Sequence, residues 1–145
     1  MAATARRYGT TQQAMVSLLM ASGRLHRALS ELMERHDVTH DQYNVLRILR
    51  GAGAEGLPRY EISARMIYRA SDVTRLLDRL EARNLVQRQR SAQDRRLSLT
   101  CISRKGLALL DALEPEVAVV HERMTQRFTA AERHELARLC DMVTD

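Results

Sequence analysis

Residues 71–102 run Ser71-Asp-Val-Thr74-Arg75-Leu-Leu-Asp78-Arg79-Leu80-Glu-Ala-Arg83-Asn84, then Leu85-Val-Gln-Arg88-Gln-Arg90, then Ser91-Ala-Gln-Asp94-Arg95-Arg96, and finally Leu97-Ser-Leu-Thr-Cys-Ile102. In the first piece Val73, Leu76, Leu77 and Leu80 recur at helical spacing. Ser71 is suited to cap that helix, and Asn84 tolerates the left-handed backbone that closes one. Leu85 to Arg88 reads as a strand and Ser91 to Asp94 as a polar turn. The returning piece alternates with period two, which places Leu97, Leu99 and Cys101 inward. The outward set of the helix is Ser71, Asp72, Thr74, Arg75, Asp78, Arg79 and Arg83. Arg88, Arg90, Arg95 and Arg96 crowd a ribbon of about ten residues, where they repel one another and gain nothing from the interior. A phosphate backbone or a narrow minor groove gives such a cluster a use. Asp94 is the only acid on the ribbon and is placed to orient a neighbouring Arg.

Toward the N-terminus, Thr39-His-Asp-Gln42 fits a capping box, so a helix starts near His40 with Tyr43, Leu46 and Leu49 buried. Gly51-Ala-Gly-Ala-Glu-Gly56 reads as a loop. Pro58 suits the first turn of a short helix marked by Tyr60, Ile62 and Met66 or Ile67. Tyr68-Arg69-Ala70 is a turn. Residues 11–35 read as a long helix in which Met15, Leu18, Ser22, Leu25, Leu29 and Leu32 alternate steps of three and four, widened by Leu19 and Met33. Such a seam serves either an internal core or a partner subunit. Toward the C-terminus, Ser103 caps a helix carrying Leu107, Leu110, Leu113, Val117, Val120 and Met124, which Pro115 should kink or restart. Thr129-Ala-Ala-Glu132 is a second capping box, and the last helix lines up Leu136, Leu139, Cys140 and Val143. The expected architecture is mainly α with a small β-hairpin wing: four helices, the hairpin and two helices.

The chain has 145 residues, enough for one compact domain. Aromatic residues are 3 % and Trp is absent, which favours a core of aliphatic residues between helices. The net charge is +5, and 22 of the 23 basic residues are Arg, the exception being Lys105. Residues 59–106 hold 12 basic and 5 acidic residues, a net of +7 against −2 for the remainder. A basic segment this concentrated suits a polyanion, although an Arg-rich solvated surface gives the same count. Two cysteines, Cys101 and Cys140, form neither a disulfide framework nor a metal spacing. No long apolar run and no secretory leader are evident, which points to the cytoplasm and away from a membrane.

Two short helices, a turn and a third helix leading into a basic hairpin describe a winged helix-turn-helix, whose second helix enters the major groove with a polar, basic outer face. The ordered set from Ser71 to Glu81, Leu85 to Arg88, Asp94-Arg95-Arg96 and Ile102-Ser103-Arg-Lys-Gly106 resembles the MarR family of bacterial regulators, most strongly over residues 39–107. The resemblance implies a single domain over 1–145. Residues 39–105 would form its DNA-binding part, and 10–36 and 106–145 would pair across a two-fold axis through Met15, Leu18, Leu25, Leu136 and Leu139. It implies that Ser71, Asp72, Thr74 and Arg75 sit near bases and Arg79 near bases or phosphates. Arg96 would be the wing-tip residue, held by Asp94, with Arg88, Arg90 and Arg95 supporting the wing. The implied partners are a pseudo-palindromic DNA duplex, a second copy of the chain and a small aromatic effector whose binding releases DNA; no ligand residue is assigned. Tyr8, Tyr43 and Tyr60 are candidates for a cleft, with core packing as the alternative. The chain departs from the family pattern at Asn84, where Gly is usual, at Ser103, where Thr is usual, and in the glycine-rich loop from Gly51.

Other classes have less support. No Gly-rich phosphate loop, GxSxG or carboxylate pair appears, so no catalytic residue and no cofactor are expected. His26, His36, His40, His121 and His134 form no metal motif, so no metal site is expected. Cys101 and Cys140 read as buried structural thiols. A dimeric helical adaptor without DNA, or a redox- or metal-responsive member of the same family, is the alternative.

Overall fold

The computed structural model describes residues 9–144. Among these, six helices and a three-stranded antiparallel sheet follow in order: α1 Thr10–Glu34, α2 His40–Ala52, β1 Leu57–Pro58, α3 Arg59–Arg65, α4 Val73–Ala82, β2 Val86–Arg90, β3 Ser98–Ile102, α5 Arg104–Thr125 and α6 Ala130–Thr144. The chain divides into two compact units, one of residues 30–117 and one of residues 9–29 with 118–144. Tyr8 lies outside the described residues.

The 30–117 unit is built on the expected apolar stripes. Leu46 and Leu49 of α2, Ile62 of α3, Leu77 and Leu80 of α4, and Leu110 and Leu113 of α5 are all shut off from solvent. The helix ends follow from local chemistry. Thr39 Oγ1 accepts the Gln42 N–H at 3.1 Å while Gln42 Oε1 accepts the Thr39 N–H at 3.0 Å, so the capping box forms. Helix α4 closes in a left-handed turn at Asn84, φ 58°, where the Asn84 N–H donates to Glu81 O and the Leu85 N–H to Leu80 O. Asp37, φ 54°, ends α1 in the same way.

Several expectations need correction. The hairpin is joined by a third strand, giving the order β1-β3-β2, with Leu57 opposite Thr100 and Pro58 opposite Leu99. A two-residue strand is too short to show alternation. Pro58 sits on its edge, where a missing N–H costs nothing, and is the N-cap of α3 rather than part of its first turn. Helix α2 runs on through Gly51 to Ala52, and a single 3-10 turn, Gly53–Glu55, replaces an irregular loop. Asp72, not Ser71, caps α4: its carboxylate accepts the Arg75 N–H at 2.9 Å, because a carboxylate is as good a cap as a hydroxyl and stands one residue nearer. Leu85 belongs to the closing turn of α4, and the first wing strand extends to Arg90. Met66, not Ile67, turns inward after α3. Helix α5 continues through Pro115 without restarting.

The inward face of β3 also differs from the expected one. Thr100 is 3 % exposed, whereas Leu97, Leu99 and Cys101 are half-buried. A central strand has neighbours on both edges, and Thr100 lies opposite both Leu57 and Arg88, so the small polar residue takes the tight face.

In the 9–29 with 118–144 unit the apolar residues have little cover within one chain. Leu29 is buried, Leu18 and Leu25 are half-buried, and Met15, Leu19, Leu136, Leu139 and Val143 are exposed. Helix α6 has no buried residue. It starts at the expected capping box, with the Thr129 N–H donating to Glu132 Oε2 at 2.8 Å and the Glu132 N–H to Thr129 Oγ1 at 3.2 Å.

Candidate nucleic-acid interface

Helix α4 and the β2–β3 wing are consecutive in the chain and share one anchor. Ser103 Oγ donates to Asn84 O at 2.6 Å and accepts the Gly106 N–H at 3.0 Å, while the Ser103 N–H donates to Leu85 O at 3.0 Å. The end of α4, the base of the wing and the start of α5 are thus tied by three hydrogen bonds around one hydroxyl residue. The other end of α4 is set by the buried Asn44 of α2, whose Oδ1 accepts the Ile67 N–H at 2.9 Å and fixes the turn that leads into α4. Sequence reasoning passed over Asn44; a lone amide inside an apolar helical stripe was the available signal.

The outer face of α4 carries Ser71, Asp72, Thr74, Arg75, Asp78 and Arg79, all exposed. Asp72 does two things: it caps the helix and pairs with Arg75 Nε at 3.3 Å. That pair is a loose one, since the Arg75 side chain is 77 % exposed. Arg79 has no ion pair among the described residues. A cleft of about 350 Å³ opens between the start of α2 and α4, lined among others by Thr39, Gln42, Ser71, Arg75 and Arg79.

The wing turn is organised by its own short polar residues. The Ser91 N–H donates to Leu97 O, and Ser91 Oγ accepts the Gln93 and Asp94 N–H groups at 3.2 and 3.3 Å. Asp94 accepts the Arg96 backbone N–H at 2.9 Å. The carboxylate therefore holds Arg96 through its main chain, in an Asx turn, and forms no ion pair with its guanidinium. Arg90 donates to Arg95 O at 3.0 Å across the ribbon. Arg95 and Arg96 are exposed and make no ion pair among the described residues.

Arg88 is the exception in the cluster. Its guanidinium pairs with Asp78 Oδ1 at 2.5 Å and with Glu81 Oε2 at 3.4 Å, both on α4. Position 88 faces back across the wing onto the helix, so an Arg expected to face outward has internal carboxylate partners.

Elsewhere in this unit Tyr43 is buried beneath the Arg47 guanidinium, 5.9 Å from the ring centroid, so it packs in the core, while Tyr60 is exposed. Burial pushes the Cys101 thiol above its usual range, and the thiol lies beside Ala54 O and Gln89. No helix among the described residues is long and apolar enough to cross a membrane.

A helix-turn-helix whose second helix presents a polar, Arg-bearing face, backed by a basic two-stranded wing, defines a winged helix-turn-helix protein. A family model described as MarR matches residues 38–98. The fold is similar to that of a MarR transcription factor from Planctomyces limnophilus, 36 % identical with a TM-score of 0.71, over 94 % of this chain and 99 % of that one. It is also similar to a mutant MarR from Escherichia coli complexed with operator DNA, with a TM-score of 0.82 and 24 % identity over 97 % of this chain and 100 % of that one, which bears on the fold alone. The homoprotocatechuate degradative operon repressor of Escherichia coli is 23 % identical over 126 residues, 87 % of this chain and 84 % of its own length. The chain belongs to the MarR family and is a winged helix-turn-helix regulator of transcription.

Proposed function

We propose that the protein binds a pseudo-palindromic DNA duplex as a homodimer, represses transcription there, and lets go when a small aromatic compound binds. The observation that carries this is the pairing pattern of the arginines: Arg79 of α4 and Arg95 and Arg96 of the wing have no carboxylate partner among the described residues, and they stand on the two elements that this fold offers to DNA. Ser71, Asp72, Thr74 and Arg75 approach base edges. Arg79, Arg90, Arg95 and Arg96 take phosphates or the minor groove, and the hydrogen bond from the Arg96 main chain to Asp94 shapes the tip. Within the single domain, residues 39–105 read the duplex, and 10–36 and 106–145 form the dimer. The exposed Met15, Leu136 and Leu139 and the half-buried Leu18 and Leu25 support a partner on those helices.

Two heads on a helical dimer reach two half-sites only at one spacing, so a compound that favours another spacing releases the duplex. A compound seated in the cleft beside Arg75 and Arg79 would also compete with DNA for those side chains. The chemistry is binding without catalysis, in the cytoplasm. Selection of bound duplexes from a random pool tests the whole reading. Enriched sequences with two-fold symmetry and half-sites about one helical turn apart are expected; enrichment of asymmetric sequences, or none, overturns it.

A further inference from the structure

The wing is bonded directly to α4. Arg88 of β2 reaches two carboxylates one turn apart on α4, Asp78 and Glu81, and its side chain is only 32 % exposed. Glu81 stands beside the end of α4, three residues before the left-handed Asn84. Asp78 is flanked in sequence by Arg79 and lies one turn beyond Arg75, in the middle of the face directed at the duplex. Two uncompensated carboxylates there would repel phosphates within about a Debye length, ~8 Å at physiological ionic strength.

We propose that Arg88 is a positioning residue for DNA binding: by pairing with Asp78 and Glu81 it holds the wing at a fixed distance from α4 and offsets one of their two negative charges, without itself touching DNA. This rests on the duplex-binding reading above. The same guanidinium performs both tasks because its planar fork spans two acceptors, which a single ammonium does not match. The geometry also explains why this Arg differs from Arg95 and Arg96. Those two lie in the turn between β2 and β3 and pair with no carboxylate of α4 among the described residues, whereas position 88 is only two residues along β2 from Val86.

A double-mutant cycle on the full-length protein tests the assignment, with affinity for a selected duplex read by fluorescence anisotropy. Arg88→Gln in the native background should weaken binding about fivefold, the order of one screened charge lost near several phosphates together with a wing no longer tied to α4. In the Asp78→Asn/Glu81→Gln background the same change should cost about twofold, because the tether is already absent and only the charge of Arg88 is lost. An equal loss in both backgrounds means that Arg88 acts through its own charge or a direct DNA contact and not through Asp78 and Glu81, and overturns the proposal. Arg88→Lys guards against a folding failure: it keeps the charge but reaches one carboxylate, and should fall between the native protein and Arg88→Gln in the native background. Arg88→Lys binding as weakly as Arg88→Gln, in protein with a native melting transition, also overturns it. If the native protein binds no duplex at all, it is the functional reading that fails, not the placement of Arg88.

Discussion

Gly106 sits in the first turn of α5 with its backbone against the base of the wing. A Cβ at this position would lie 2.3 Å from Leu85 O and 2.7 Å from Ile102 Cγ1. The nearer atom is main chain, so it moves only if the wing base moves. That carbonyl already accepts the Ser103 N–H at 3.0 Å, and the Gly106 N–H is held by Ser103 Oγ. Gly106→Ala therefore has two opposed effects. Helix propensity and chain entropy favour Ala by about 1 kcal/mol. Overpacking costs about 1–3 kcal/mol, and weakening a buried main-chain hydrogen bond adds ~1 kcal/mol. The balance is a loss of about 2 kcal/mol, or a fall in Tm of roughly 6 °C for a chain of this size. Gly51 of α2 supplies the matched control, because a Cβ there meets nothing within 4 Å. Gly51→Ala should raise stability by up to ~1 kcal/mol. Thermal and denaturant unfolding at one fixed protein concentration reads both variants, since dimerisation makes Tm depend on concentration. If Gly106→Ala is as stable as the native protein or more so, the close approach of α5 to Leu85 is wrong.

Arg75→Ala should cost on the order of 1–3 kcal/mol on the preferred duplex and narrow the gap between preferred and scrambled sequences, read by gel-shift titration; an unchanged gap removes Arg75 from base readout. Cys101 should alkylate slowly at neutral pH in the native protein and fast after unfolding, because burial raises its thiol; peptide mapping of the label checks this, and rapid native labelling at Cys101 would restore the redox alternative. Glu114 is held below its ordinary range of 4.5 by a hydrogen bond from Arg50, Glu132 by the Thr129 N–H and hydroxyl, and Glu135 by Arg138. A depressed carboxylate contributes stability that is present above its unfolded value and lost as the pH falls from there through the folded value. The Tm should therefore decline below about pH 4.5, and Glu114→Gln should make that decline shallower.

The helices were legible because their signals are local. The capping boxes at Thr39 and Thr129 and the left-handed stop at Asn84 each need only a few neighbouring residues, and the apolar stripes of α2 and α4 repeat at helical spacing. What escaped depends on contacts between distant segments. Strand β1 exists because Leu57 finds Thr100, which no pattern within two residues announces. Periodicity gives the alternation of β3 but not which phase faces the core, and Thr100 takes the tighter side. The cap of α4 fell on Asp72 because Ser71 and Asp72 are both good caps and only the backbone decides between them. Charge and the family resemblance both group Arg88 with the wing arginines; its turn toward Asp78 and Glu81 is a tertiary contact between residues ten and seven positions apart. Helices α1 and α6 posed the opposite difficulty: their apolar stripes were evident, while a single chain leaves much of them bare.

The most direct test of an outward-facing Arg surface is duplex affinity measured against salt concentration. The native protein should bind with a steep negative dependence of log K on log salt. Joint replacement of Arg79, Arg95 and Arg96 by Ala should flatten that slope by about 0.9 for each phosphate contact removed, and lower affinity for all sequences. A folded triple variant with the native slope and the native affinity would contradict it.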